Sequence, residues 1–231
     1  GFKKWGDVKI GDYLLTPDGE TTKIIDEYKF YNSSIYKLLL ENGSSVECSR
    51  SHLFETYIDG KKELKSLEEI IEIVTNQTDV ICELAIPKAT YFSYKPIKVD
   101  SYIIGFLLCS PKVYKPVQLR KELQSINFRH NAFPKDYLFN SINNRRKLFQ
   151  GLIDSKGYVE NGLVKIKLTN KKVTKQVNLL IRSLGYNTEV NYKNKDCLIS
   201  IFTDNKLFID DATNELINCP DKRKIDFTKI T

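Results

Sequence analysis

Two patterns of apolar and polar positions divide the chain near residue 90. Before that point, apolar positions come in short runs broken by turn residues such as Asn42-Gly43 and Asp59-Gly60. Glycine takes positive φ at no steric cost, so these dipeptides favour tight hairpins. The pattern predicts strands at residues 10–16, 21–30, 35–40 and 44–49, then a short helix starting at Ser66-Leu67. Such closely spaced turns indicate a compact all-β module, and a generic β-barrel or SH3-like fold is the alternative.

After Pro87 the apolar positions predict helices alternating with strand pairs. Residues 91–100 form an aromatic, proline-containing linker. The predicted helices cover residues 101–109, 118–127, 144–154 and 172–184, and the predicted strands cover two runs within 158–169, then 188–193 and 197–202. Asn140 and Ser141 are candidate caps of the third helix, and Gly185 stops the fourth. Helix–strand–strand repeated twice predicts an α+β module.

Composition narrows the functional classes. A chain of 231 residues with 41% hydrophobic and 28% charged positions can build the core of a soluble globular protein. No apolar run approaches the roughly 18 residues of a membrane helix, and no signal peptide opens the chain. Five widely spaced cysteines without a CxxC pair fit a reducing compartment. We therefore expect an intracellular, cytoplasmic protein with no membrane partner. The absence of methionine and the start at Gly1 suggest a segment of a larger polypeptide.

Positive charge is concentrated between residues 112 and 150. Nine cations there against Glu122 and Asp136 give +7, which equals the net charge of the whole chain. The nine are Lys112, Lys115, Arg120, Lys121, Arg129, Lys135, Arg145, Arg146 and Lys147. Because five aromatic residues are interleaved with them, the segment predicts a nucleic-acid surface, where cations neutralise phosphates and rings stack or pack beneath. A solvated face of a lysine-rich protein is the alternative.

The motif Ser49-Arg50-Ser51-His52 ends a predicted strand. A histidine there can protonate a leaving amide nitrogen while the Ser49 hydroxyl holds the substrate or an oxyanion, although a structural His that caps a turn fits the spacing too. With residues 8–19, 36–38 and 42–48 preceding it in order, the motif resembles the Hint fold of inteins. The resemblance implies that His52 promotes the first acyl shift of protein splicing, that Ser49 occupies the block's Thr position, and that splicing needs no cofactor.

A second motif, residues 148–159, reads Leu-Phe-Gln-Gly-Leu-Ile-Asp-Ser-Lys-Gly-Tyr-Val. A glycine within a helix lets another backbone pack closely, and a carboxylate at the helix end can hold a metal between two such helices. A plain buried helix is the alternative. Together with residues 163–186 and a weaker copy at 102–111, the motif resembles the LAGLIDADG homing endonucleases. The resemblance implies that Gly105 and Gly151 are the contact glycines of paired helices, within an α+β domain inserted into an all-β Hint horseshoe, as in large inteins.

The acidic positions depart from the LAGLIDADG pattern. The resemblance implies a metal-binding carboxylate at the last acidic position of each motif, but this chain has Ser110 and Lys156 there. An ammonium repels Mg²⁺, and Asp154 lies at the position that faces the helix end. We therefore predict no metal ligands and no DNA cleavage by two metals; only an active endonuclease would need Mg²⁺.

The chemical ends of an intein are missing as well. Gly1 offers no nucleophile, and the chain stops at Thr231 without a His-Asn end. We predict a Hint part at 1–92, an endonuclease-like insertion at 93–213 and a return segment at 214–231. The leading hypothesis is an intein fragment whose partners are the missing terminal segments and the host exteins. The alternatives are a DNA-binding LAGLIDADG endonuclease or its non-cleaving relic, and a structural protein with neither activity.

Overall fold

The computed structural model describes residues 5–16, 20–29, 33–39, 45–76, 80, 82–84, 89–193, 196–203, 206–208 and 213. The chain divides into two compact units, residues 1–88 with 222–231 and residues 89–221. The predicted segment limits stay predictions, and the return segment 214–231 lies outside the described residues. None of the described helices is both long and apolar enough to cross a membrane.

The first unit contains small antiparallel sheets and one helix. A 3₁₀ turn at Trp5–Asp7 precedes three sheets. In the first sheet β1 (Tyr13–Leu15) pairs with β2 (Thr21–Lys23), and in the second β3 (Ile35–Leu39) pairs with β4 (Ser45–Ser49). In the third sheet β5 (Leu53–Ile58) lies between β6 (Lys61–Ser66) and β7 (Cys82–Leu84). Helix α1 (Leu67–Asn76) follows β6. The core of this unit is formed by Leu38, Cys48, Leu67, Ile70 and Cys82. The described strands form separate sheets, and the Hint horseshoe stays a prediction.

Local signals explain where several of these elements begin and end. Asp59 and Gly60 both have positive φ, 48° and 78°, so the predicted tight turn between β5 and β6 is confirmed. Helix α1 begins at a capping box, in which the Ser66 hydroxyl accepts from Glu69 N and the Glu69 carboxylate accepts from Ser66 N at 2.7 Å. The strand predicted at 21–30 is too long, since β2 pairs with only three residues of β1. The Asn42-Gly43 turn lies outside the described residues.

The second unit packs helices against a four-stranded antiparallel sheet. Its helices are α2 (Ser101–Cys109), α3 (Val117–Ser125), α4 (Lys135–Leu138), α5 (Ile142–Lys156) and α6 (Lys171–Ser183). Its strands are β8 (Gly157–Glu160), β9 (Leu163–Leu168), β10 (Asn187–Lys193) and β11 (Asp196–Phe202), in the order β10-β11-β9-β8. The mixed helix and antiparallel-sheet architecture agrees with the predicted α+β class.

Apolar periodicity places the core of the second unit between α5, α6 and the sheet. Val164, Ile166 and Leu168 alternate along β9 and are buried, as the two-residue period of a strand requires. On α6 the buried positions, Val173, Val177, Leu180 and Ile181, recur at helical spacing. Their polar neighbours on β9, Lys165 and Lys167, therefore point away from this core.

Two helix boundaries in the second unit depend on residues next to prolines or turns. Helix α4 was not predicted, because four residues are too few to show a helical period. Pro134, with φ −63°, precedes it. Helix α3 begins after Pro116 and ends two residues earlier than predicted, and Asn127 beyond it has φ 50°. Asn161 and Gly162 form the turn between β8 and β9, with φ of 54° and 75°.

Candidate nucleic-acid interface

Helices α2 and α5 touch backbone to backbone through Gly105 and Gly151. A Cβ added at Gly105 would lie 2.9 Å from the Leu148 carbonyl carbon and nearer still to its oxygen. A Cβ added at Gly151 would lie 2.9 Å from Phe106 N. These distances are shorter than any real Cβ contact, so both positions require glycine. The structure thus brings together Gly105 and Gly151, as the resemblance implied.

The carboxyl ends of α2 and α5 lie near each other. Lys147 pairs with Asp100 at 3.0 Å near the amino end of α2, and the Lys156 ammonium acts electrostatically on the Cys109 thiol at the other end. The two helices therefore run in the same direction. Burial raises the pKa of Cys109 to about 11, against a smaller lowering by Lys156.

The groups at these helix ends do not fit a divalent metal. Ser110, the residue that caps α2, offers a hydroxyl, and Lys156, the last residue of α5, offers an ammonium. Magnesium and manganese prefer carboxylate oxygens. Throughout the described ranges, no three His, Cys, Asp or Glu side chains lie close enough together to hold a metal ion.

The Asp154 side chain accepts a hydrogen bond from a residue of its own helix, α5. Its carboxylate accepts from the Gln150 amide at 3.0 Å, and the same amide donates to Leu207 O at 2.7 Å. Burial, followed by the charge of Asp154, raises the pKa of Tyr102. An open cleft of about 560 Å³ is lined by Tyr102, Asp154, Gly157, Tyr158, Val159, Phe208 and Thr213. Asp154 thus lies in this cleft beside Tyr102 and Tyr158.

Six of the nine predicted DNA-contacting cations are exposed and have no carboxylate partner among the described residues. They are Lys112, Arg120, Lys121, Arg129, Lys135 and Arg146. The other three are engaged within the protein. Lys115 donates to the carbonyls of Pro111 and Val113 at 2.8 and 3.1 Å, and Lys147 pairs with Asp100.

The aromatic residues of this segment pack mostly beneath the surface. Phe133 and Tyr137 are buried in the core of the unit, and Phe128 and Phe139 pack against it. Tyr114 is 83% exposed. The rings therefore support the cationic surface from below, and Tyr114 is the ring available to stack on a base.

Arg145 cannot contact DNA, so its assignment to the DNA surface is wrong. The side chain is fully buried. Its guanidinium donates to Asn140 O at 2.9 Å, to Ser183 O and Oγ at 2.6 and 2.7 Å, and to Thr90 O. It also lies over the Phe92 ring, 4.8 Å from the centroid. Burial lowers the pKa of Arg145 to about 10, with a smaller contribution from the charge of Arg146.

The segment before α2 is fixed to the unit, although the sequence suggested a linker. Besides the contacts of Arg145, the Asn140 amide exchanges hydrogen bonds with Lys95 N and O at 3.1 and 3.0 Å. The Tyr137 hydroxyl accepts from Val99 N and donates to Val99 O. Asn140 therefore joins this segment to the start of α5, while Ser141 is the residue that caps the helix.

In the first unit, Ser49 and His52 share one tight turn. His52 N donates to Ser49 O at 3.1 Å, and His52 O accepts from Leu67 N at 2.9 Å. The Ser49 hydroxyl lies 3.1 Å from the Ser51 hydroxyl, and the exposed His52 ring meets the edge of Phe54 at 4.8 Å. The described contacts thus place the two groups on one turn without a hydrogen bond between their side chains. Their splicing roles stay predictions.

Parts of the chain are similar to known proteins. Residues 132–223 match the family model described as homing endonuclease, which supports the endonuclease part of the prediction. The chain is also 23% identical over 240 residues to the replicative DNA helicase DnaB of Mycobacterium intracellulare. That match covers 84% of this chain and 42% of the helicase, so the chain spans about two fifths of that relative.

Two solved structures show partial likeness. A structure of I-DmoI in complex with DNA and Mn gives a TM-score of 0.29 at 12% identity, covering 73% of this chain and 81% of the other. A structure of mesophilic variants of the homing endonuclease I-DmoI gives 0.30 at 11% identity, covering 72% and 79%.

Proposed function

We propose that the second unit binds double-stranded DNA and does not cleave it with metal ions. The observation that carries the proposal is the set of six exposed cations between Lys112 and Arg146 that lack a described carboxylate partner. Because exposed cations without partners gain most from neutralising phosphates, they supply the sequence-independent part of DNA affinity. The family match at residues 132–223 supports the same class of function.

Ser110 and Lys156 support the absence of cleavage. In a metal-dependent nuclease, carboxylates hold the cations that stabilise the attacking and leaving oxygens. Here the ammonium of Lys156 and the hydroxyl of Ser110 take those places, so the paired helices hold the unit together without supplying metal ligands. In this proposal the second unit binds DNA and does not cleave it.

Salt-dependent binding tests this proposal. Anisotropy of a fluorescein-labelled duplex would be measured with the full chain across a series of KCl concentrations. Replacing Arg120, Lys121 and Arg146 with Gln should make the slope of log K against log salt shallower by about 2 to 3, since each phosphate contact contributes about 0.9. The matched control replaces Lys9, Lys23 and Lys61 of the first unit. Equal slopes for the two triple variants would contradict the proposal.

A second candidate function is protein splicing by the first unit. It is supported by the Ser49–His52 turn and by the extent of the helicase match, because an intein embedded in a longer host protein would share sequence with only part of that protein. In this proposal His52 assists the first acyl shift, Ser49 positions the scissile bond, and the missing terminal segments and exteins are required.

Splicing can be tested by fusing the chain to the missing end segments between two reporter proteins. Ligated reporter should form with the original sequence and should be lost in His52→Ala, whereas the neighbouring Ser51→Ala should retain it. Product is detected by mass spectrometry. Ligation at an unchanged rate in His52→Ala would refute the role assigned to this histidine.

A further inference from the structure

The loop between α2 and α3 presents apolar side chains to solvent. It covers residues 110–116, and its tip carries Val113, which is 44% exposed, and Tyr114, which is 83% exposed. Val117, the first residue of α3, is 57% exposed. The Tyr114 hydroxyl forms no hydrogen bond within the described ranges of the chain. Single exposed apolar residues are common on a surface, but a contiguous group of them marks an interaction site.

The shape of this loop is fixed by its own contacts. The Lys115 ammonium donates to Pro111 O at 2.8 Å and to Val113 O at 3.1 Å. Pro111 and Pro116 restrict φ at the two ends of the loop. Because the tip is already ordered, binding through Tyr114 costs little conformational entropy.

The loop also projects from a fixed base. Before it, α2 packs against α5 through Gly105, and after it, α3 packs on the core through Leu119 and Leu123. The loop follows the carboxyl end of α2, which lies near the carboxyl end of α5. Helix α5 continues directly into β8 at Gly157, so the loop lies at the end of the paired helices where the sheet begins.

The charges around the loop are complementary to a polyanion. No Asp or Glu occurs between residues 101 and 121. Lys112, Arg120 and Lys121 are exposed and have no ion pair with a carboxylate in the described part of the chain. Duplex DNA fits an apolar tip flanked by cations, since phosphates attract the cations while the base stack accepts apolar side chains and rings.

A membrane surface is the less fitting partner for this loop. Interfacial binding scales with the apolar area that is inserted, and amphipathic helices supply that area along a whole face. Here the exposed apolar group is limited to Val113, Tyr114 and Val117, whereas the other apolar positions of α3 pack on the core.

We propose that Tyr114, supported by Val113, inserts between neighbouring base pairs of double-stranded DNA, and that the second unit therefore prefers duplex whose base stack is already interrupted. The proposal rests on the DNA binding inferred for residues 112–146. Insertion has to open a base step, and the cost of opening is lowest where a base is missing or mismatched.

The test compares two fluorescein-labelled duplexes of about 30 base pairs, one fully paired and one with a single abasic site at its centre. Affinities are measured by anisotropy with the full chain. The wild type should bind the abasic duplex at least about fivefold more tightly, and Tyr114→Ala should reduce this ratio to about one. Tyr114→Phe should keep the preference, because the ring is retained. The matched control is Tyr28→Ala of the first unit, where the ring is 77% exposed, and it should also keep the preference.

Two further readouts distinguish ring insertion from a general loss of binding. Because the tyrosine ring contributes no cation, Tyr114→Ala should leave the slope of log K against log salt unchanged. A 5-iodouracil placed beside the abasic site should photocrosslink to the peptide that contains Tyr114, as mapped by mass spectrometry. Circular dichroism checks that all variants are folded.

The outcomes separate this inference from the function on which it rests. If the Arg120, Lys121 and Arg146 variant changes the salt slope but the wild type binds both duplexes equally, the insertion is overturned while DNA binding stands. A preference that survives in Tyr114→Ala overturns it as well. No binding of either duplex by the wild-type chain overturns both proposals. Binding to phosphatidylserine vesicles that is lost in Tyr114→Ala, with the DNA preference unchanged, would assign the loop to a membrane surface and overturn the insertion.

Discussion

Arg145→Met tests whether a buried arginine holds the second unit together. The substitution keeps an unbranched apolar stem and removes the guanidinium that connects Asn140, Ser183 and Thr90. Arg146→Met is the matched control, because the neighbouring arginine is exposed. The two variants change net charge equally, so any difference between them reports the environment of Arg145.

The magnitude follows from four hydrogen bonds and one burial penalty. Hydrogen bonds of a charged donor contribute about 1.5–3 kcal/mol each, and Arg145 donates four. The four hydrogen bonds together therefore contribute at least about 6 kcal/mol, and the cost of burying the charge opposes this gain. The fall in the Arg145 pKa from 12.5 to about 10 corresponds to roughly 3 kcal/mol. The net loss in Arg145→Met is therefore about 3 kcal/mol or more, a large part of the 5–15 kcal/mol that stabilises a typical domain.

Urea unfolding followed by circular dichroism at 222 nm measures this loss, since the second unit holds five of the six described α-helices. The urea concentration at the unfolding midpoint should fall by about 1 to 2 M in Arg145→Met. In Arg146→Met it should fall by much less than about 0.5 M. Below its transition, Arg145→Met should bind duplex DNA like the wild type, whereas Arg146→Met should bind more weakly. Equal midpoints for the two variants would refute the claim that the buried guanidinium of Arg145 stabilises the second unit.

Two further predictions follow from the same unit. Gly151→Ala should destabilise it by more than about 3 kcal/mol, because the new Cβ would meet backbone atoms of α2 that cannot yield. The control Gly6→Ala, where the new Cβ meets open space, should change the unfolding midpoint little. Equal midpoints for the two variants would contradict the helix contact. Cys109 should react with iodoacetamide at pH 8.5 about a hundredfold more slowly in the folded than in the urea-unfolded chain, as mapped by peptide mass spectrometry, because burial raises its pKa from 9.0 to about 11. Since the folded pKa lies above the unfolded one, the stabilisation from the protonated thiol is complete below pH 9 and disappears as the pH rises through about 11. Equal labelling rates would contradict the burial.

Local signals predicted much of the fold. The bounds of α2 follow from an apolar run between Asp100, whose side chain accepts from Tyr102 N, and Pro111. The turns at Asp59-Gly60 and Asn161-Gly162 follow from residues that tolerate positive φ. Each of these features is decided by neighbours in sequence, so the sequence alone was sufficient.

Features that depend on tertiary partners were missed. Arg145 and Arg146 are adjacent cations, and only the phase of α5 decides which one is buried. Arg145 stands three and seven residues before Leu148 and Leu152, both fully buried, so the helical period does place it on the core face. Its acceptors on Thr90 and Ser183 are distant in sequence and could not be predicted.

The central claim is that exposed cations of the second unit bind double-stranded DNA. Its most direct test is the salt dependence of duplex binding by the unmodified chain. Six exposed cations between Lys112 and Arg146 predict a slope of log K against log salt of about −5. A slope near zero, or no binding at about 0.05 M KCl, would contradict the claim.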